Sequence, residues 1–576
     1  MSQDSSAPPL RLWPGLVIIA LQWFIRYGIV HINTEWTQFA VLGGLLGGVL
    51  LAVWWVFFSR ASKLERFIAV PLLILMMIAT RPVLDPSVAT GMMGLMFFIF
   101  SIPLTCLLFV LYVSVARNAP PKMRLAGMVA TFLVSCGVWT MVRTDGIDGS
   151  ARSDFSWRWQ ATAEQQMMAE MQNATQQTAD LTTAEAAEWP GFRGPEGRSS
   201  VPGSKLATDW TAAPPKQRWR QPIGPGWSSF AVSGDYFFTQ EQREEEEVVA
   251  CYRLADGEQV WHHGDKTRFW ESNAGAGPRS TPTLAGEFVY SQGATGRLNK
   301  LAARDGALIW SRDIAVDSGV EPPGWGFSAS PLVREDMVIT AAAGTVVAYN
   351  PADGSKLWQS EKDGNGYHSP QWVHLDGVPQ ILTLNGYGVV AVSPSNGETL
   401  WRFELPGLGI IQPMVLSENE LLVSGGSSQP MFRIKVTRDN SGWQVTTVWE
   451  SRGLKPYFND IVRHGDHVYG FDGHIMSAIN LNDGKRAWKG GRYGHGQCLL
   501  LPDQDLLLVL SEKGELALVS ATPARFQEVA RVPAITGKTW NHPVLIGNLV
   551  LVRNAEEAAV YELAQTSGKA AEADPF

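Results

Sequence analysis

Seven residues with hydrogen-bonding or acid–base side chains stand at matching places along the second half of this 576-residue chain: Arg279, His368, Asn459, Asp460, His495, Asn541 and His542. Each comes just before an apolar run, in neighbourhoods such as Arg279-Ser280-Thr281, Tyr367-His368-Ser369, Tyr457-Phe458-Asn459-Asp460, His495-Gly496-Gln497 and Trp540-Asn541-His542. An arginine, a carboxylate, amides and imidazoles gathered in one funnel would hold a small polar or anionic ligand. The same groups would equally satisfy one another around a water channel. The histidines are far apart in sequence and lack the close ligand spacing of a zinc site, so no metal is expected.

Other reactive groups add little. Cys106, Cys136, Cys251 and Cys498 form no CxxC or adjacent pair and are expected as buried, unpaired thiols. The net charge of -8 argues against a nucleic-acid partner, which needs a basic face to neutralise phosphates. Glu244–Glu247 is an acidic run expected on a solvated hairpin, and Phe269-Trp270-Glu271-Ser272-Asn273 is a loop whose aromatics could cap the funnel.

The elements that must position the seven residues are announced by a repeat. Ala255-Asp256-Gly257 is followed by Trp261, Arg304-Asp305-Gly306 by Trp310, Ala352-Asp353-Gly354 by Trp358, Ser395-Asn396-Gly397 by Trp401, and Asn482-Asp483-Gly484 by Trp488. Copies recur about every 40–50 residues, the period of propeller blades. Asp-Gly or Asn-Gly supplies the positive φ of a tight hairpin turn, and two alternating apolar runs precede each turn. That makes a four-stranded blade with a tryptophan on its outer strand. A degenerate copy surrounds Trp449 and a weaker one lies near Phe526–Val529. The last apolar pair, Pro543–Val552 and Ala559–Leu563, lacks an outer strand, which Gln217–Gln221 with Trp219 can supply. The expected fold is therefore an eight-bladed all-β propeller over 189–563, closed by joining both ends in one sheet, with Trp219, Trp261, Trp310, Trp358, Trp401, Trp449 and Trp488 locking the blades.

The Asp-Gly-x-x-x-Trp repeat resembles that of the pyrroloquinoline quinone (PQQ) repeat family, which includes the quinoprotein alcohol dehydrogenases and the outer-membrane assembly lipoprotein BamB. The segment Trp189-Pro190-Gly191-Phe192-Arg193-Gly194-Pro195 is similar to a lead-in of PQQ-binding-like bacterial members. The resemblance implies two functions. One is a BamB-like, non-catalytic binding or scaffold module with an envelope protein as partner and no cofactor. The alternative is a membrane quinoprotein dehydrogenase using PQQ with calcium on an alcohol or sugar, with Asn459, Asp460 and Arg279 standing where calcium ligands and a quinone-contacting base are needed. The sequence lacks the adjacent Cys-Cys pair of the alcohol dehydrogenases, and its propeller is near the minimum length for eight blades. The scaffold reading is favoured.

Ahead of the propeller stands a different kind of sequence. About five apolar runs, Leu12–Val30, Thr37–Phe58, Phe67–Thr80, Gly91–Val115 and Leu125–Val142, approach the roughly 20 residues a membrane span requires and form a helical bundle over 12–143. Arg60, Lys63 and Arg66 in the second loop and Arg117, Lys122 and Arg124 in the fourth place those loops in the cytoplasm. With five spans, residues 1–11 are then cytoplasmic and the propeller periplasmic, anchored in a bacterial inner membrane. Arg26 falls near the outer end of the first span, where it is expected to snorkel to the interface. Residues 144–188 form a periplasmic linker with a helix over Ala161–Ala179 and a Met167, Met168, Met171 stripe, and 564–576 a flexible tail.

Overall fold

The computed structural model describes residues 10–32, 36–148, 152–171, 176–181, 187–334, 336–426 and 429–566. Most of the expected flexible tail, 567–576, lies outside the described residues, as do 1–9 of the amino terminus and parts of the linker, 172–175 and 182–186. The chain divides into two compact units, Met1–Thr162 with Glu271–Gly275, and Ala163–Trp270 with Ala276–Phe576.

Among the described residues of the first unit, five helices are long and apolar enough to cross a membrane: Trp13–Ile32, Thr37–Phe58, Lys63–Val83, Met96–Asn118 and Pro121–Met141. The third is longer than its apolar run suggests. Ser62 caps it, its side chain accepting from Glu65 N while Glu65 returns a bond to Ser62 N, and the Glu65 carboxylate also takes two hydrogen bonds from Arg124, at 2.8 and 3.1 Å. The fourth starts five residues later than expected, because Met92 and Met93 adopt left-handed backbone angles and end a separate short helix, Pro86–Gly94. Arg26 corrects another expectation. It sits on a π-helical turn, Phe24–Gly28, and is only 6% exposed, its guanidinium 4.9 Å from the Tyr27 ring and 5.0 Å from the Phe100 ring. The glycines of the second helix make room for it: a Cβ at Gly44 would stand 3.0 Å from Arg26 Cδ, and one at Gly47 2.5 Å from Gln22 Cγ.

The second unit contains eight four-stranded antiparallel sheets, the blades of a propeller. Blades 1 to 7 each use four consecutive strands, from Ala231–Ser233 onward. Blade 8 joins Val544–Ile546, Leu549–Arg553 and Glu557–Glu562 to Lys216–Pro222, so the ring closes with a strand from the start of the domain. Apolar faces of neighbouring blades pack together, and some middle strands, such as Val338–Ala342, are buried at every position.

The repeat acquires its physical meaning here. In each Asp-Gly or Asn-Gly turn the acidic or amide oxygen accepts the backbone N–H two residues on, as from Glu258, Ala307, Ser355, Glu398 and Lys485. The glycines hold φ near 70°, for example 73° at both Gly306 and Gly354. The outer strand then carries a bulge in every blade, and the residue displaced is the one before the tryptophan position, such as Val260, Ile309, Leu357 and Val448. The indole is thereby turned onto the next blade, where Trp219, Trp261, Trp310, Trp449 and Trp488 donate to the carbonyls of Leu254, Ala303, Pro351, Leu481 and Thr522. Trp401 differs, donating to Gln380 of its own blade at 2.7 Å, because the fifth blade turns through Asn440-Ser441 and offers no Asp-Gly platform. Trp358 is half-buried against the turn of Gly397.

The expected linker helix spans only Ala163–Glu170. Beyond it 176–181 is extended, bonded through Gln177 N to Val260 O at 2.7 Å and through Ala179 N to Arg304 O at 2.8 Å. Of the methionine stripe, Met167 is buried.

Candidate functional site

The inner strands of the blades are short, and the candidate residues stand just before them. The lead-in segment meets them there. Trp189 exchanges backbone bonds with Val232 of blade 1, Pro190 O accepts from Leu284 of blade 2, and Ser199 O and Val201 N bond Leu500 of blade 7. From the middle of this segment Arg193, 5% exposed, donates through Nη2 to Ile461 O at 3.0 Å and through Nε to Ser199 Oγ at 2.9 Å, and its Nη1 lies 3.4 Å from Gln412 Oε1. Arg193, Gly194, Glu196 and Ser199 all have positive φ, a local backbone strain held in place by these bonds.

Two of the seven expected residues are drawn into that network. Asp460 stands 3.4 Å from Arg193, both nearly buried, in ion-pair reach without hydrogen-bond geometry. Burial raises its carboxyl above the usual range even with Arg193 opposing. His542 Nε2 lies 2.9 Å from Ser199 Oγ and its Nδ1 lies 2.8 Å from Pro543 O. One proton arrangement satisfies the whole chain: Arg193 Nε–H donates to Ser199, Ser199 O–H donates to His542 Nε2, and His542 Nδ1–H donates to the carbonyl. Burial and the nearby Arg193 push the imidazole down to about 3, so it is neutral.

The other five are placed separately. His368 is buried and accepts Leu384 N at 2.8 Å, with burial holding it at about 3. Asn459 donates to Gly496 O at 2.5 Å, and Asn541 to Ser228 O at 2.7 Å and Gly226 O at 3.2 Å. Their Oδ1 atoms are buried without a hydrogen bond, as is Asp460 Oδ1. His495 packs in a ring cluster with His474, Tyr457 and Phe458 at centroid distances of 4.5, 5.7 and 5.3 Å. Arg279 donates to Gly277 O at 2.8 Å and Ala276 O at 3.2 Å of its own loop and to Trp325 O at 3.3 Å, its guanidinium 5.0 Å from the Phe269 ring. Phe269 thus caps Arg279.

Aromatic side chains near these residues in sequence make ring-to-ring contacts. Trp227 meets Trp540 at 4.9 Å, Trp540 meets Phe458 at 5.2 Å, Tyr457 meets Trp325 at 6.3 Å, and Trp325 meets Tyr367 at 4.9 Å. Lys538 lies over both Trp227 and Trp540. Among the described residues, no group of three or more His, Cys, Asp or Glu side chains is arranged to hold a metal ion. All four cysteines are free and buried. A quinone with calcium would need Asp460, Asn459 and Arg279 presented together. Asp460 is paired with Arg193, and Arg279 is bonded to Gly277 O, Ala276 O and Trp325 O.

Sequence reasoning overlooked a buried charged network. Glu241, wholly buried, accepts Arg243 Nε at 2.7 Å, Tyr252 Oη at 2.8 Å and Gly224 N at 2.9 Å. Burial works against its charge, but Arg243 and Arg553 outweigh it and hold the carboxyl low. Arg553 spans blades 8 and 1, donating to Thr239 Oγ1 at 2.5 Å, Gly224 O at 2.9 Å and Gln240 O at 3.0 Å. The signal was present: Gln240-Glu241-Gln242-Arg243 interrupts an otherwise apolar strand. The acidic hairpin is also revised, since Glu247 is buried and accepts Ala294 N at 2.9 Å and Thr295 Oγ1 at 3.0 Å, while the turn itself is Glu244-Glu245.

Residues 244–490 match a family model described as outer membrane protein assembly factor BamB. A protein of that name from Shewanella oneidensis is 22% identical over 382 residues, covering 61% of this chain and 90% of the relative. Among solved structures, BamB from Moraxella catarrhalis aligns at a TM-score of 0.45 and 17% identity, over 61% of this chain and all of that one. A quinohemoprotein alcohol dehydrogenase from Pseudomonas putida aligns at 0.49 and 13%, over 68% and 82%. The second unit is an eight-bladed β-propeller, and residues 244–490 within it are what that family model matches.

Proposed function

We propose that this protein is an inner-membrane-anchored periplasmic propeller that acts as a binding or scaffold module of the cell envelope, as the name of its BamB relatives suggests for them. The observation that carries this reading is the buried network: Arg193 brings a basic side chain into the ring and engages Asp460, Ser199 and, through it, His542. Arg193, Ser199 and His542 are bonded to the protein itself. Neutral, buried His368 and His542 are poor general acids, with pKa values far from a working pH. The five apolar helices supply the anchor, and the basic residues where the second span meets the third and the fourth meets the fifth support a cytoplasmic amino terminus.

The competing function is a PQQ-dependent dehydrogenase. Calorimetric titration of the detergent-solubilised full chain with PQQ and calcium, followed by a dye-linked assay over alcohols and sugars, separates the two. Neither binding nor dye reduction is expected. Micromolar or tighter binding that is lost in Arg279→Ala or Asp460→Ala would establish the oxidoreductase instead. Site-specific cross-linking in intact cells is expected to recover an envelope protein, and recovery of this chain alone would count against the scaffold role.

A further inference from the structure

The bulged residue of each outer strand is apolar in every blade except the one closed by Arg218. Its exposure varies sharply. Ile309, Leu357, Val448 and Val529 are 48%, 47%, 46% and 37% exposed, whereas Val260 at the same position of blade 1 is 2% exposed. The difference is the extended segment 176–181, which lies in the groove between blades 1 and 2. Gln177 N donates to the bulge carbonyl of Val260, Ala179 N donates to Arg304 O in the neighbouring turn, and Gln176 bonds both backbone atoms of His262 at 3.1 Å. Ala179, 2% exposed, joins the apolar cluster of Val260, Trp261 and Ala303.

The repeat builds the same groove between blades 2 and 3, with Ile309 in place of Val260 and Ala352 in place of Arg304. Here the residue before the bulge is Leu308, 49% exposed, where the other blades carry Gln217, Gln259, Lys356, Thr399, Thr447, Arg486 or Glu528. The wall across it is Pro351-Ala352, small and uncharged. We propose that this groove docks an extended segment of a partner polypeptide in the way 176–181 docks beside blade 1. The occupant presents backbone N–H groups two residues apart to the carbonyls of Ile309 and Ala352, and a small apolar side chain toward Leu308 and Ile309. The proposal rests on the reading of this protein as a binding module and assigns the surface that module uses.

The test uses the full chain in detergent and, as probe, a fluorescein-labelled peptide with the sequence of residues 174–188. Saturable binding by fluorescence anisotropy is expected, weakened about tenfold or more by Ile309→Arg or Leu308→Arg. It should be unchanged within about twofold by Val415→Arg, an exposed position on an innermost strand. Unaltered melting temperatures exclude misfolding of these surface variants. A photoreactive group in place of the peptide's alanine 179 is expected to mark the fragment holding Ile309 and Ala352. Absence of saturable binding, equal binding by Ile309→Arg, or marking confined to Val260 would overturn the proposal. If that happens while the chain still captures an envelope protein in cells, the groove is refuted and the binding role stands. Loss of that capture as well would remove both.

Discussion

The indole of Trp310 lies directly on Gly354, so close that a Cβ at Gly354 would stand 2.8 Å from Trp310 Cδ2. The glycine therefore has two duties, turning its own hairpin at a φ of 73° and serving as the floor for the preceding blade's tryptophan. Trp261 on Gly306, Trp358 on Gly397 and Trp449 on Gly484 repeat the arrangement, with the corresponding Cβ at 2.5, 2.6 and 2.9 Å.

Gly354→Ala is expected to destabilise the propeller by about 2–4 kcal/mol, from a left-handed backbone angle and overpacking together. Trp310→Ala should cost about 3–5 kcal/mol. Because both act on one contact, the double variant should lose less than the sum. Leu308→Ala, on an exposed outer-strand residue, should change stability by under about 0.5 kcal/mol. Thermal unfolding of the full chain checks all four, and strict additivity would refute the shared contact.

Arg193→Met is expected to cost about 3–5 kcal/mol by leaving Asp460 buried without its partner. Adding Asp460→Asn removes the stranded charge and should recover part of that loss. A single Arg193→Met variant as stable as the parent would show that the lead-in segment does not depend on the Arg193 bonds.

Stability should fall as the solution is acidified from neutrality. His368 and His542 are held at about 3, below the roughly 6.5 of an unfolded histidine. Their contribution is therefore present above about pH 6.5 and lost as pH falls toward 3, at about 1.4 kcal/mol per pH unit for each. Replacing His368 with glutamine, which still offers an acceptor to Leu384 N, should flatten part of that slope in denaturant unfolding between pH 7 and 5. An unchanged slope would mean that His368 is not titrating.

Gly47→Ile in the second apolar helix should push the first helix away, since even a Cβ there meets Gln22 Cγ at 2.5 Å. The expected cost is about 1–3 kcal/mol. It should be read as a lower detergent half-life of the helical unit with the propeller's unfolding unaffected. Loss of both together would show that the two units unfold as one.

A reporter that works only outside the cytoplasm, fused after Ser150, should be active, because six basic residues cluster where the second span meets the third and the fourth meets the fifth. Activity from a cytoplasmic reporter at the same position would reverse the topology.

The sequence alone determined the ring: turn chemistry is local, so Asp-Gly and the tryptophan four residues later mark each hairpin, and counting them revealed eight blades and a closure through Trp219. Apolar runs likewise marked the five helices, since length and hydropathy suffice for that. What the side chains meet was decided only in three dimensions. Arg26 looked like a snorkelling residue until a π turn and the missing side chain of Gly44 carried it inward. Asp460 and His542 are drawn to the lead-in segment and the other five are placed separately, and their partners, such as Arg193, Ser199, Leu384 N and Gly496 O, come from distant segments or from the backbone, which no residue pattern displays. Which groups find hydrogen-bond partners is a property of the assembled ring, so the chain from Arg193 through Ser199 to His542 was invisible in the sequence. The exposed bulge at Ile309 was equally hidden, because a bulge is defined by register against the neighbouring strand.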